Sequence, residues 1–126
     1  MKLSIRDNSL LLRLARSEVE ALHRDGVVAA VIAFPGGRQL RYAVESSPAV
    51  VNPAAFLSDG QIAVRLPENQ VLAWATSEQI SIRGEHRLDD GATLEILVEK
   101  EFACPARRGD AASSDRYPGS TSDVER

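Results

Sequence analysis

The chain has 126 residues, 44% apolar and 26% charged, with a formal net charge of −3, which suits one compact domain or two very small intertwined halves. No run approaches eighteen apolar residues and Met1 to Asp7 lacks an apolar core, so neither a membrane-spanning helix nor a secretory leader is expected. One cysteine (Cys104), two histidines and an acidic balance argue against an internal disulfide, a structural zinc site and an overtly basic nucleic-acid binder, and fit a reducing cytoplasm.

Leu3 and Ile5, then Leu10, Leu12 and Leu14, alternate at the two-residue period of half-buried strands, with Asp7-Asn8 as the hairpin turn between them. Ser17-Glu18-Val19-Glu20 has the form of a capping box, Ser17 capping and Glu20 reaching back, and opens a short helix. Gly26 suits the left-handed end of that helix. Val27 to Phe34 reads as a third strand broken by Pro35-Gly36-Gly37, and Leu40 to Glu45 as its partner. After Ser46-Ser47-Pro48 and Asn52-Pro53 the pattern starts again. Asp59-Gly60 makes the next hairpin turn, and Ile62, Val64 and Leu66 form an inward strand face. A second helix begins near Pro67 and runs to about Thr76. Gln79 to Arg83 and Thr93 to Phe102 are then strands around a loop containing Asp89-Asp90-Gly91.

The order is ββαββ twice. At an offset of 52, five of the twenty positions from 4 to 23 are identical in the second half, namely Asp7, Arg13, Leu14, Val19 and Ala21, and Leu40 to Glu45 matches Leu94 to Glu99 at an offset of 54. Two matching blocks in the same order read as an internal duplication. The expected fold is therefore α+β, mainly β. Residues 1–47 form the first half, 48–53 a joint and 54–104 the second half, because about fifty residues bury too little alone. From Pro105 the composition turns to Ala, Arg, Gly, Asp and Ser, so 105–126 is expected to be a largely disordered, mobile tail.

Ile5-Arg6-Asp7-Asn8-Ser9-Leu10-Leu11-Leu12-Arg13-Leu14, followed by a short helix through Leu22, resembles the N-terminal element of AbrB and MazE-type proteins (the SpoVT-AbrB domain). Val64-Arg65-Leu66-Pro67 is similar to the same element, with the proline that this family places at its helix start; in the first half Ala15 stands there instead. The resemblance covers roughly residues 1–101. It implies ββαββ units interlocked in a pseudo-two-fold swapped-hairpin β-barrel, here carried by one chain as a monomeric pseudo-dimer rather than an obligate dimer. It further implies a bacterial, cytoplasmic DNA-binding transcriptional regulator or antitoxin-like module, with duplex DNA and a toxin-like protein as partners. Carried over by position, the nucleic-acid contacts are Arg6, Asn8, Arg13, Arg16 and Arg24, since arginines neutralise phosphates and read base edges bidentately. The segment Glu99 to Cys104 is also similar to short uncharacterised bacterial proteins.

Charge divides unevenly. Residues 1–52 hold seven Lys+Arg against five Asp+Glu, a net of +2, whereas 53–101 hold four against nine, a net of −5. That asymmetry motivates a second reading: a protein-binding adaptor on the same scaffold, using the acidic half or the tail. Arg13 and Arg65, the repeated arginines, are then outward-facing residues or ion-pair partners of acidic neighbours. His23 suits the end of its helix, and His86 belongs to a polar loop and is solvated. Asp89-Asp90 and Glu99/Glu101 fit a turn and a strand face better than a metal site. There is no phosphate loop and no nucleophile with a base. No enzyme, cofactor or metal is expected, and Trp74 is the core anchor of the second helix.

Overall fold

The computed structural model describes residues 1–102; the expected tail and Cys104 lie outside the described residues. The elements are β1 (Lys2–Arg6), β2 (Ser9–Leu14), α1 (Arg16–Asp25), β3 (Val27–Phe34), β4 (Arg38–Ser47), β5 (Ala54–Ser58), β6 (Gln61–Pro67), α2 (Glu68–Ala75), β7 (Ser81–Arg87) and β8 (Thr93–Lys100). The protein is mainly β, as its alternating apolar pattern requires. One four-stranded sheet has the order β1-β2-β8-β7 and the other β3-β4-β6-β5. Each sheet thus takes one hairpin from residues 1–47 and one from residues 54–100, and no ladder joins the two sheets among the described residues. The hairpins are antiparallel, while the central contacts, β2 with β8 and β4 with β6, are parallel. Parallel neighbours need long connections. Here they lie more than eighty residues apart in one sheet and about twenty in the other.

The inward faces and the two helices meet in one core. Leu12, Leu14, Ile96, Val98 and Ile82 come from the first sheet and Val44, Val64 and Leu66 from the second, with Val19, Leu22, Val71 and Trp74 from the helices. The turns follow local chemistry. Asp7 (φ 50°) and Asp59 (φ 48°) take the left-handed conformation that aspartate tolerates, and Gly26 (φ 87°) ends α1 with its N–H on the Leu22 carbonyl, 2.9 Å away.

Three expectations are corrected. Helix α1 is not capped at Ser17 with Glu20 reaching back; its cap is Ala15, and the Glu18 carboxylate accepts the Ala15 N–H at 2.8 Å while also pairing with the Met1 amino group. Because β2 ends at Leu14 and the buried Val19 and Leu22 must both face inward, the first turn has to start by Arg16. Pro67, 52 positions on, caps α2 in the same place. Strand β4 extends two residues beyond the expected Leu40 to Glu45 at each end.

Strand β7 runs through Arg87, so His86 is a strand residue rather than a solvated loop residue. Its Nδ1 lies 3.1 Å from both the backbone N and O of Ala55 in β5. Gly84 lies in the same strand because a Cβ there would fall 2.6 Å from Pro53 Cγ. Gly84→Ala is expected to destabilise the fold by about 1–3 kcal/mol through that overlap. Urea unfolding should show the loss largely recovered when Pro53→Ala is added.

Candidate functional site

Alternation along the first sheet sends Leu12, Leu14, Ile82, Ile96 and Val98 inward and leaves the other set on the outer face. There a groove of about 590 Å³ crosses the strands. Its walls are Ser4 and Arg6 of β1 and Arg83 and Glu85 of β7, and its floor carries Ser9, Leu11, Glu95 and Leu97. The register fixes the order: Ser4 stands opposite Leu11, Leu11 beside Leu97, and Leu97 opposite Arg83, with Ser9, Glu95 and Glu85 forming the next row. Arg6, Arg83, Glu85 and Glu95 are exposed, and none is in an ion pair among the described residues. The groove therefore carries charges of both signs beside an apolar centre, with Arg6 at one wall, the facing pair Glu95 and Glu85 towards the other, and Arg83 in the neighbouring row.

The structure does not gather the five expected nucleic-acid residues into one patch. Arg6 lies on the groove wall, and its carbonyl accepts the Ser9 hydroxyl at 2.7 Å. Asn8 is spent on the fold: its side-chain N–H donates to the Thr93 carbonyl at 2.8 Å and its own carbonyl accepts the Glu95 N–H at 3.0 Å. Arg13 is four residues further along β2 than Ser9, roughly 13 Å at strand rise. Both its Nε and its Nη2 lie 2.8 Å from Glu99 Oε2, with the side chains 13% and 9% exposed. Arg16 is exposed in the first turn of α1. Arg24, at the far end of that helix, holds Asp25 through two 3.0 Å contacts. Those hydrogen bonds keep the Asp25 carboxyl below its ordinary pKa and raise that of Arg24.

The Arg13–Glu99 pair has a counterpart in the second sheet. Arg65 Nε donates to Glu45 Oε1 at 3.0 Å, and the guanidinium sits 4.7 Å from the Phe56 ring centroid. Arg65 follows Arg13 by 52 positions and Glu99 follows Glu45 by 54, so each ion pair joins one residue of each half. Sequence reasoning named neither Arg83 nor Glu85 for the groove. The alternation of Arg83, Glu85 and Arg87 carries a strand signal, but Gly84 and His86 between them read as loop. His23 is exposed in the last turn of α1. Among the described residues no three His, Cys, Asp or Glu side chains gather as a metal site, and no helix is long and apolar enough to cross a membrane.

Compared with known proteins, residues 1–121 match the model of a family of unknown function, DUF7009. No curated protein and no solved structure matches the chain.

Proposed function

Since the chain belongs to the DUF7009 family, whose function is unknown, we propose from its geometry that it is a protein-binding module whose docking face is the groove on the first sheet. The scaffold in this proposal is an internally duplicated, single-chain swapped-hairpin barrel of AbrB/MazE type. The exchange of hairpins between the sheets, the two crosswise ion pairs and the equivalent caps at Ala15 and Pro67 support that part.

The observation that carries the functional part is that the facing carboxylates Glu85 and Glu95 share one groove with Arg6 and Arg83. A duplex presents charge of a single sign, so two exposed carboxylates within a Debye length, about 8–10 Å, oppose it. An extended protein segment answers both signs: acidic side chains for Arg6 and Arg83, a basic one for Glu95, and an apolar one over Leu11 and Leu97. The DNA-binding regulator or antitoxin-like reading draws its support from Arg6, Arg83 and Arg87, which share the outer face of this sheet.

Two assays separate the readings. Displayed linear peptides selected on the full chain should converge on alternating acidic, apolar and basic residues, and the binding of the selected peptides should fall at least about tenfold in Arg6→Glu/Arg83→Glu. Fluorescence anisotropy with random duplex DNA at about 50 and about 200 mM salt should show no steep salt-dependent binding. Duplex binding that collapses with salt and in Arg6→Ala would overturn the protein-binding reading. So would a peptide selection that yields nothing sensitive to Arg6 and Arg83.

A further inference from the structure

Four strands end the two sheets, and three of them are defended against pairing with another chain. β1 is five residues long and carries Lys2 and Arg6 at its two ends. β7 carries Arg83, Glu85 and Arg87 and has the Pro53 ring against Gly84. β5 is also five residues long, and the His86 ring sits against the outward N and O of Ala55. Short length, charge and a covering side chain are the usual devices that blunt a sheet edge.

β3 has none of them. Its eight residues, Val27–Phe34, include no charged or polar side chain and no proline, and it pairs with β4 alone. Val27 is 41% exposed, Val31 52%, Ile32 48% and Phe34 50%. The pairing of β4 with β6 begins only at Arg41, so the end of this hairpin projects past its neighbour with apolar residues on both faces. No hydrogen bond joins β1 to β3 among the described residues, whereas β5 meets β7 through His86.

We propose that β3 pairs antiparallel with β3 of a second copy, about a two-fold axis near Ala30, to form a homodimer with a continuous eight-stranded sheet. Symmetry requires residues of equal parity to face each other across such an axis. Centred on Ala30, the register sets Ala29 opposite the partner's Val31, Val28 opposite the partner's Ile32 and Val27 opposite the partner's Ala33. Each position then meets an aliphatic neighbour, and no charges meet on the seam. Phe34 falls opposite the partner's Gly26. A Cβ on Gly26 would meet nothing within 4 Å, so the ring has open space to fill over a glycine at the sheet edge. Arg38, beside Phe34, comes to the end of the partner's α1, where Asp25 balances Arg24. An uncharged strand with no side chain to specify a foreign sequence is matched by the one strand always present at equal concentration, its own copy.

Sedimentation equilibrium of the full chain tests this. The weight-average mass should rise from 13.7 kDa towards twice that value between about 1 and about 200 μM. Val31→Lys and Ile32→Lys should each weaken dimerisation at least about tenfold, with Trp74 emission unchanged as the check on folding. Leu57→Lys, on exposed β5, should leave it intact. A chain monomeric at the highest concentration overturns the proposal. Dimers that survive both lysine variants, growth beyond dimer, or a foreign protein held on β3 in place of the second copy do the same. These readouts use no peptide and no groove residue, so they stand apart from the protein-binding reading.

Discussion

Trp74→Ala is expected to remove about 3–5 kcal/mol of stability, measured by urea unfolding. Trp74 is fully buried and packs among Leu22, Val71 and the inner faces of both sheets. Its indole N–H donates to the Ile80 carbonyl at 2.9 Å, which fixes the connection between α2 and β7. The Lys100 Nζ lies 5.9 Å from the ring centroid and donates to the Ser77 carbonyl at 2.8 Å. Burial pushes the pKa of that ammonium below the ordinary lysine value, against a smaller raising effect of Glu78. Truncation therefore opens a cavity, leaves the Ile80 carbonyl with only the Lys100 backbone N–H at 3.0 Å, and removes a favourable face from a poorly solvated cation. Trp74→Phe keeps most of the volume and loses the hydrogen bond, so it should cost less, about 1–3 kcal/mol. A Trp74→Ala loss under about 1 kcal/mol would mean that α2 is not locked onto the core.

Local physics made much of this fold legible in the sequence. Strand periodicity in Leu10, Leu12 and Leu14, the left-handed turn at Asp59-Gly60, Gly26 after α1 and Pro67 before α2 depend on near neighbours, and the structure has each in its expected role. Long-range causes were not legible. Gly84 and His86 look like loop residues because their partners, Pro53 and Ala55, lie thirty-one residues away. Ser17 looks like the cap because nothing local shows that β2 ends at Leu14 or that Glu18 is drawn to the amino terminus. The groove is half visible in the sequence: Arg6 stands out as an anion-binding residue beside the first hairpin turn, while Arg83 and Glu85 lie where Gly84 and His86 read as loop. The offsets of 52 and 54 did hold the crosswise ion pairs, but only the strand order β1-β2-β8-β7 shows that Arg13 reaches Glu99.

Arg13→Ala should be the second costly substitution, and it bears on function as well. Side-chain exposures of 13% and 9% place the Arg13–Glu99 pair largely out of water, so removing the arginine strands a carboxylate. The expected loss is about 3–5 kcal/mol, whereas Arg13→Leu/Glu99→Leu, which removes both charges, should lose much less. Arg65→Ala breaks the equivalent pair at exposures of 46% and 30% and should cost at most about 1 kcal/mol. Equal losses at the two positions would show that burial is not what sets them. Arg13 belongs to the set expected to contact DNA, so a binding defect in Arg13→Ala is interpretable only beside its stability. Arg6 has no such structural partner among the ion pairs. Arg6→Ala is therefore expected to reduce ligand binding at unchanged urea midpoint, while Arg13→Ala lowers both together. A fully stable Arg13→Ala chain that has lost duplex binding would return Arg13 to the nucleic-acid face.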